Sequence, residues 1–156
     1  MKTKLLLIFL LFFNNLFSQI KIEDVGDSWK QEVENSISLI KEKDKIKYDT
    51  LIKYCNHITF WNGNFSTIED STSIMISQTD MNSNSLTNIM SVIIHESYHL
   101  RKYKCEMDSD LEEYEAYSYE LDFLKKLDNC EIWLKTHCTK MMNYHLNRYK
   151  EKNFLK

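Results

Sequence analysis

The stretch Ile93-Ile94-His95-Glu96-Ser97-Tyr98-His99-Leu100 decides how the rest of the chain is read. Two histidines four residues apart on a helix stand about one turn apart on the same side. Both imidazoles can then reach one metal ion, with the intervening glutamate alongside. Upstream, Ser85 offers an N-cap, and Leu86 to Ile94 runs without Gly or Pro, which predicts a helix through the motif. At about 100° per residue, Leu86, Ile89, Met90, Ile93 and Leu100 fall on one broad side, and Asn88, Ser91, His95, His99 and Lys102 on another. On a buried helix such a polar stripe must line a cavity, find partners or bind something.

A centre built on two histidines needs a third ligand, and the next helical stretch offers candidates. Ser109-Asp110-Leu111-Glu112 reads as a capping box, and helical periodicity continues to Leu124. With Glu113 at the origin of the wheel, Tyr117, Glu120 and Leu124 lie close to it, flanked by Tyr114, Ala116, Leu121, Phe123 and Leu127. Glu113 and Glu120 therefore sit inside the apolar face. Glu112, Glu115, Asp122, Lys125 and Lys126 fall on the opposite half, where water can solvate them. An ionised carboxylate is seldom left on a buried face unless it is paired or bound to a metal. Glu113 is the expected third ligand, with Glu120 as the alternative. The alternation of Asp108, Asp110 and Glu112 resembles calcium-ligand spacing but lacks the required Gly turn, so it reads as acidic charge at a helix N-terminus.

The combination His95-Glu96-x-x-His99 and Glu113-x-x-Ala116-Tyr117 resembles the gluzincins, zinc peptidases in which a glutamate on a second helix completes a His, His, Glu site. The resemblance spans residues 70–127, and Tyr117 stands where several gluzincin families carry Asp or Asn. It implies an α+β, helix-dominated fold. The resemblance also implies a minimal zincin-like domain over residues 19–156, with a short antiparallel sheet packed beside the His95/His99 helix and a following ligand helix. It implies Zn2+ held by His95, His99 and Glu113, a peptide or protein substrate, and hydrolysis in which zinc lowers the pKa of a water while Glu96 acts as general base. Tyr117, Tyr98, Tyr103 and His145 remain open as donors to the developing oxyanion. Two other classes stand beside this one: a catalytically silent zinc-binding module, and a helical interaction protein in which His95 and His99 are core residues.

Elsewhere, Trp29, Val33, Ile37 and Ile40 mark one helix and Tyr48 to Cys55 a second. Asn56 to Trp61, followed by Asn62-Gly63-Asn64, and Ser73 to Gln78 read as strands. The gluzincin resemblance makes the second of these the lip of the cleft, its free edge pairing with an extended substrate. Glu131 to Lys152 reads as a final helix carrying Trp133, His137, Met141, Tyr144 and His145, whose bulky residues at helical spacing are expected to pack.

Residues 1–18 have the basic start, apolar run and small-residue exit of a signal peptide, with cleavage expected after Ser18. The mature chain is then expected to be secreted or periplasmic, without stable membrane association. A net charge of -3 and the lack of a basic, aromatic-interleaved face exclude nucleic acid as a partner. With no Pro and 2 Gly, the chain should be helix-rich. Four cysteines in an exported chain favour disulfides. Cys130 and Cys138, read on one helix, lie about 12 Å apart, too far for a bridge, so pairing is expected to cross between elements, with Cys55 to Cys105 or Cys138 among the plausible choices.

Overall fold

The structure, a computed structural model, describes residues 20–23, 26–83 and 85–154, with backbone alone at Asp27; the expected signal peptide lies outside these residues. The short strand β1 (Lys21–Ile22) leads into helix α1 (Asp27–Lys43), which turns at Asp44 into α2 (Lys45–Tyr54). In α1, Trp29, Val33, Ser36 and Ile40 are buried, a spacing of three to four that puts one face on the core. Asp44 serves both helices. Its N–H closes α1 on Ile40 O, and its carboxylate caps α2 by accepting from Lys47 N–H.

Strands β2 (His57–Trp61), β3 (Thr67–Ile68) and β4 (Ser73–Ser77) follow, and the sheet order is β1-β2-β4-β3. The expected antiparallel sheet is instead mixed. β1 runs parallel to β2 and β2 parallel to β4, with Ile58 opposite Ile74; only β3 is antiparallel, with Thr67 opposite Met75. The chain leaves Trp61, passes beyond the lane β4 will occupy, and returns, so the hairpin is β3–β4 and β4 slots between its two neighbours. A two-residue strand is too short for its alternation to show in sequence. The same arrangement moves the cleft edge. β4 is paired on both sides, with Ile74 and Ile76 fully buried, so the strand expected to carry the free edge does not; β3 is the edge strand on that side, and β1 forms the other edge.

After a single turn, α3 (Gln78–Met81), come α4 (Leu86–Lys102), α5 (Ser109–Leu124) and α6 (Ile132–Phe154). Helix α4 is the central element: α1, α2, the sheet and α5 all pack on it, and α6 packs on α5. Of its expected apolar side, Ile89, Met90, Ile93 and Leu100 are buried, together with Ile94, in one cluster with Ile58, Ile74, Phe123 and Leu124, while Leu86 is half-buried. Each such aliphatic side chain, fully buried, contributes about 1.5–3 kcal/mol. Among the described residues no helix is long and apolar enough to cross a membrane.

None of the four cysteines is paired. Cys55 is buried where α2 meets β2, and Cys138 is buried on α6 against α5, its Sγ donating to Tyr117 O; Cys105 is exposed in the α4–α5 turn. Cys130 precedes α6 rather than sharing a helix with Cys138.

Candidate metal centre

Helix α4 begins where the sequence places it. Ser85 is its N-cap, accepting from Asn88 N–H, and the run to Lys102 has no breaker. Its polar stripe lines a cleft of about 800 Å³: Asn88, Ser91, His95 and His99 all face it, with Val92 and Glu96. Edge strand β3 and the preceding loop (Asn64 to Ile68) also line it, as do Glu113, Tyr117 and Glu120 from α5 and Trp133, Leu134 and His137 from α6.

On the cleft wall the Nε2 atoms of His95 and His99 are 3.2 Å apart. Glu113 faces both: one carboxylate oxygen is 3.5 Å from His95 Nε2 and the other 3.5 Å from His99 Nε2. Each of the three offers a ligand atom within 4.8 Å of the others. Tetrahedral zinc with bonds near 2.0–2.1 Å sets neighbouring ligands about 3.3 Å apart, so these residues fit such an ion.

The opposite nitrogens explain why both Nε2 atoms point inward. His95 Nδ1 is 3.0 Å from Glu120 Oε2, and the same carboxylate accepts from Ser91 Oγ. His99 Nδ1 is 2.9 Å from Glu112 Oε1. A carboxylate on Nδ1 fixes the ring and its tautomer, leaving Nε2 to a metal. Glu120 thus touches the back of His95 rather than joining the cluster. Glu112 is a correction: instead of facing water it is largely covered, because the C-terminal half of α4 lies over the first turn of α5. Sequence reasoning missed it, although a histidine pair that ligates a metal needs two such partners and Glu112 is the next residue to Glu113. Glu115 likewise is held by the Tyr98 hydroxyl.

The first turn of α5 also differs from the expected capping box. Asp108 is the N-cap, accepting from the N–H groups of Asp110 and Leu111. Asp110 is buried and holds three basic side chains of α6: His145 Nδ1 at 3.0 Å, Arg148 Nε at 3.4 Å, and Lys152. Tyr117, in place of an Asp or Asn, makes no hydrogen bond to His95. Its ring packs on that imidazole at 4.5 Å and is backed by a stacked His145 at 5.9 Å.

The donor candidates separate accordingly. Tyr98 is engaged with Glu115, Tyr103 is exposed, and His145 stands behind Tyr117, which itself lines the cleft. Burial, reinforced by the charges of Glu113 and Glu120, pushes the Tyr117 phenol up, so it keeps its proton.

The electrostatics are those of a site short of positive charge. Burial raises the Glu96 carboxyl, and Glu113 and Glu120 add to the effect against the pull of the two histidines. Burial alone would lower His95, but Glu113, Glu120 and Glu96 override it and hold the imidazolium up to about 10. Burial also opposes ionisation of Glu113, yet His95 and His99 hold that carboxyl below its usual value. With the metal-ligating histidines required to be neutral, a divalent cation would take the place of the bound proton. Comparison with protein-family models, with curated proteins and with solved structures finds no match to this chain.

Proposed function

We propose that the chain is a zinc-dependent peptidase with a zincin-like site. One observation carries the reading: two Nε2 atoms and a carboxylate lie at tetrahedral ligand spacing in the wall of a cleft, each imidazole oriented from behind by its own carboxylate. His95, His99 and Glu113 would hold the ion. When bound, zinc supplies the Lewis acid that activates a water and polarises the scissile carbonyl. The protein's own residues do the rest. Glu96, buried beside the histidines and lining the cleft, has a raised pKa suited to accepting a proton from the attacking water and returning it to the leaving amine. Tyr117, neutral and facing the cleft, is placed to donate to the oxygen that gains charge. The outer edge of β3 offers backbone pairing to an extended peptide, with little demand on its sequence.

Metal analysis of the purified protein should find one zinc per chain. Glu96→Gln should keep that zinc while turnover of a peptide mixture falls by about 10²- to 10⁴-fold. Zinc without turnover in the unaltered protein leaves a silent zinc-binding module, and a chain that binds no zinc leaves a helical interaction protein. Undiminished turnover in Glu96→Gln would remove Glu96 from the mechanism.

A further inference from the structure

Two large aromatic side chains stand in water along the same cleft: Phe65 is 64% exposed and Trp133 53%. The backbone that carries each is tied down. Trp61 Nε1–H donates to Phe65 O at 3.0 Å, and the two rings meet edge to face at 5.5 Å. Gly63 lies against the Trp61 indole, where a Cβ would come within 2.2 Å of ring atoms, so only glycine lets the loop close over the ring. Ser66 ties the far end of that loop down, donating to Asp80 Oδ2 at 2.6 Å and accepting from Ser77 N–H at 2.9 Å. Trp133 projects from the first turn of α6. That turn is pinned by buried Leu134 and by Ser85 Oγ, the cap of α4, donating to Glu131 Oε1 at 2.6 Å.

An aromatic on a fixed stretch of backbone at a concave site has less freedom left for binding to take from it, which is how binding hot spots are built. The charge of the cleft narrows the occupant. Among its described lining residues are Asp80, Glu96, Glu113 and Glu120, and no Lys or Arg. Away from the histidines and the ion they would hold, no lysine or arginine of the described lining stands ready to pair with a carboxylate, whether from an acidic side chain or from a chain terminus.

We propose that Phe65 and Trp133 grip a large apolar side chain of an uncharged or basic peptide segment lying within a longer chain, and so set the specificity of the site. The proposal rests on the peptidase reading for the nature of the occupant. Its test separates the two, because binding is measured without turnover.

Zinc-loaded Glu96→Gln protein is titrated by calorimetry with blocked peptides identical except for a central Phe or Glu. The Phe peptide should bind at least tenfold more tightly. Phe65→Ala and Trp133→Ala, each in the Glu96→Gln background, should weaken Phe-peptide binding about 5- to 30-fold with zinc content and circular dichroism unchanged. Phe65→Leu, which keeps an apolar surface, should recover part of the loss. Equal affinity for the two peptides, no binding of either, or full affinity in both alanine variants overturns the grip. If selective binding is found while the unaltered protein cleaves no peptide, the grip stands and the peptidase reading falls.

Discussion

Helix α5 carries carboxylates at both ends of its packed length, and they meet different partners. Near its C-terminus Asp122 lies 3.2 Å from Lys47 Nζ, and Lys126 Nζ lies 2.7 Å from Asp44 and 3.5 Å from Asp122. Two carboxylates meet two ammonium groups, and Lys47 Nζ also rests 3.4 Å from the centre of the Tyr119 ring. That cluster is electrically complete. Toward α4, the carboxylates of Glu112, Glu113 and Glu120, together with Glu96 of α4, meet two imidazoles and a serine hydroxyl but, among the described residues, no lysine or arginine. A lysine brings a full charge on one atom and ends the matter. A histidine held from behind presents a second nitrogen, so the cluster keeps room and appetite for a cation.

The largest way to break this contrast is to remove the inward nitrogens. His95→Ala or His99→Ala should abolish zinc binding, and Glu113→Ala should weaken it severely. Glu120→Ala and Glu112→Ala, which only orient the rings, should each cost roughly 10- to 100-fold in affinity. Competitive zinc titration against a chromogenic chelator ranks all five, and a greater loss at Glu120 than at Glu113 would exchange their roles.

A smaller effect sharpens the other side. Asp44→Ala removes both the cap of α2 and the partner of Lys126, and should lower stability by about 1–2 kcal/mol without altering zinc affinity. Urea unfolding in chelator, set beside zinc titration of the folded variant, checks it. Coupled losses would mean the two clusters are not independent.

The smallest effect concerns Asp110 and its three basic partners. Lys152 and His145 hold its carboxyl below the usual value, so its contribution to stability is present above the ordinary aspartate pKa and is lost as pH falls through the depressed one. The melting temperature of Asp110→Asn should lie below that of the unaltered protein at pH 6, and the gap should shrink toward pH 3. A gap that widens on acidification would contradict the assignment.

Much of this was legible in the chain because helices announce themselves locally. The Ser85 cap and the 3.6-residue spacing around Ser85–Leu100 and Glu113–Leu124 placed the two helices and aimed His95, His99 and Glu113. What sequence hid depends on partners far along the chain. Glu112 looked solvated because a wheel knows only its own helix, whereas its surroundings are set by the crossing of α4. The sheet was misjudged for the same reason. Thr67–Ile68 is too short to carry a pattern, and its position decides both the direction of pairing and which strand owns the outer edge. The grip residues Phe65 and Trp133 lie outside any motif, and only the cleft brings them into one place.

The four thiols, graded from surface to core, make the protein a ready gauge of its own partial opening. Cys105 stands in solvent, while Cys55 donates to His57 O at 3.1 Å under the sheet and burial pushes it up to about 12. Cys138 is likewise buried and shifted upward at the seam of α5 and α6. A thiolate is the reactive form, so an alkylating reagent reaches Cys105 at once and the two core sulfurs only when their own region comes apart. The order and rate of labelling would report separately on how often the sheet end and the helical end breathe.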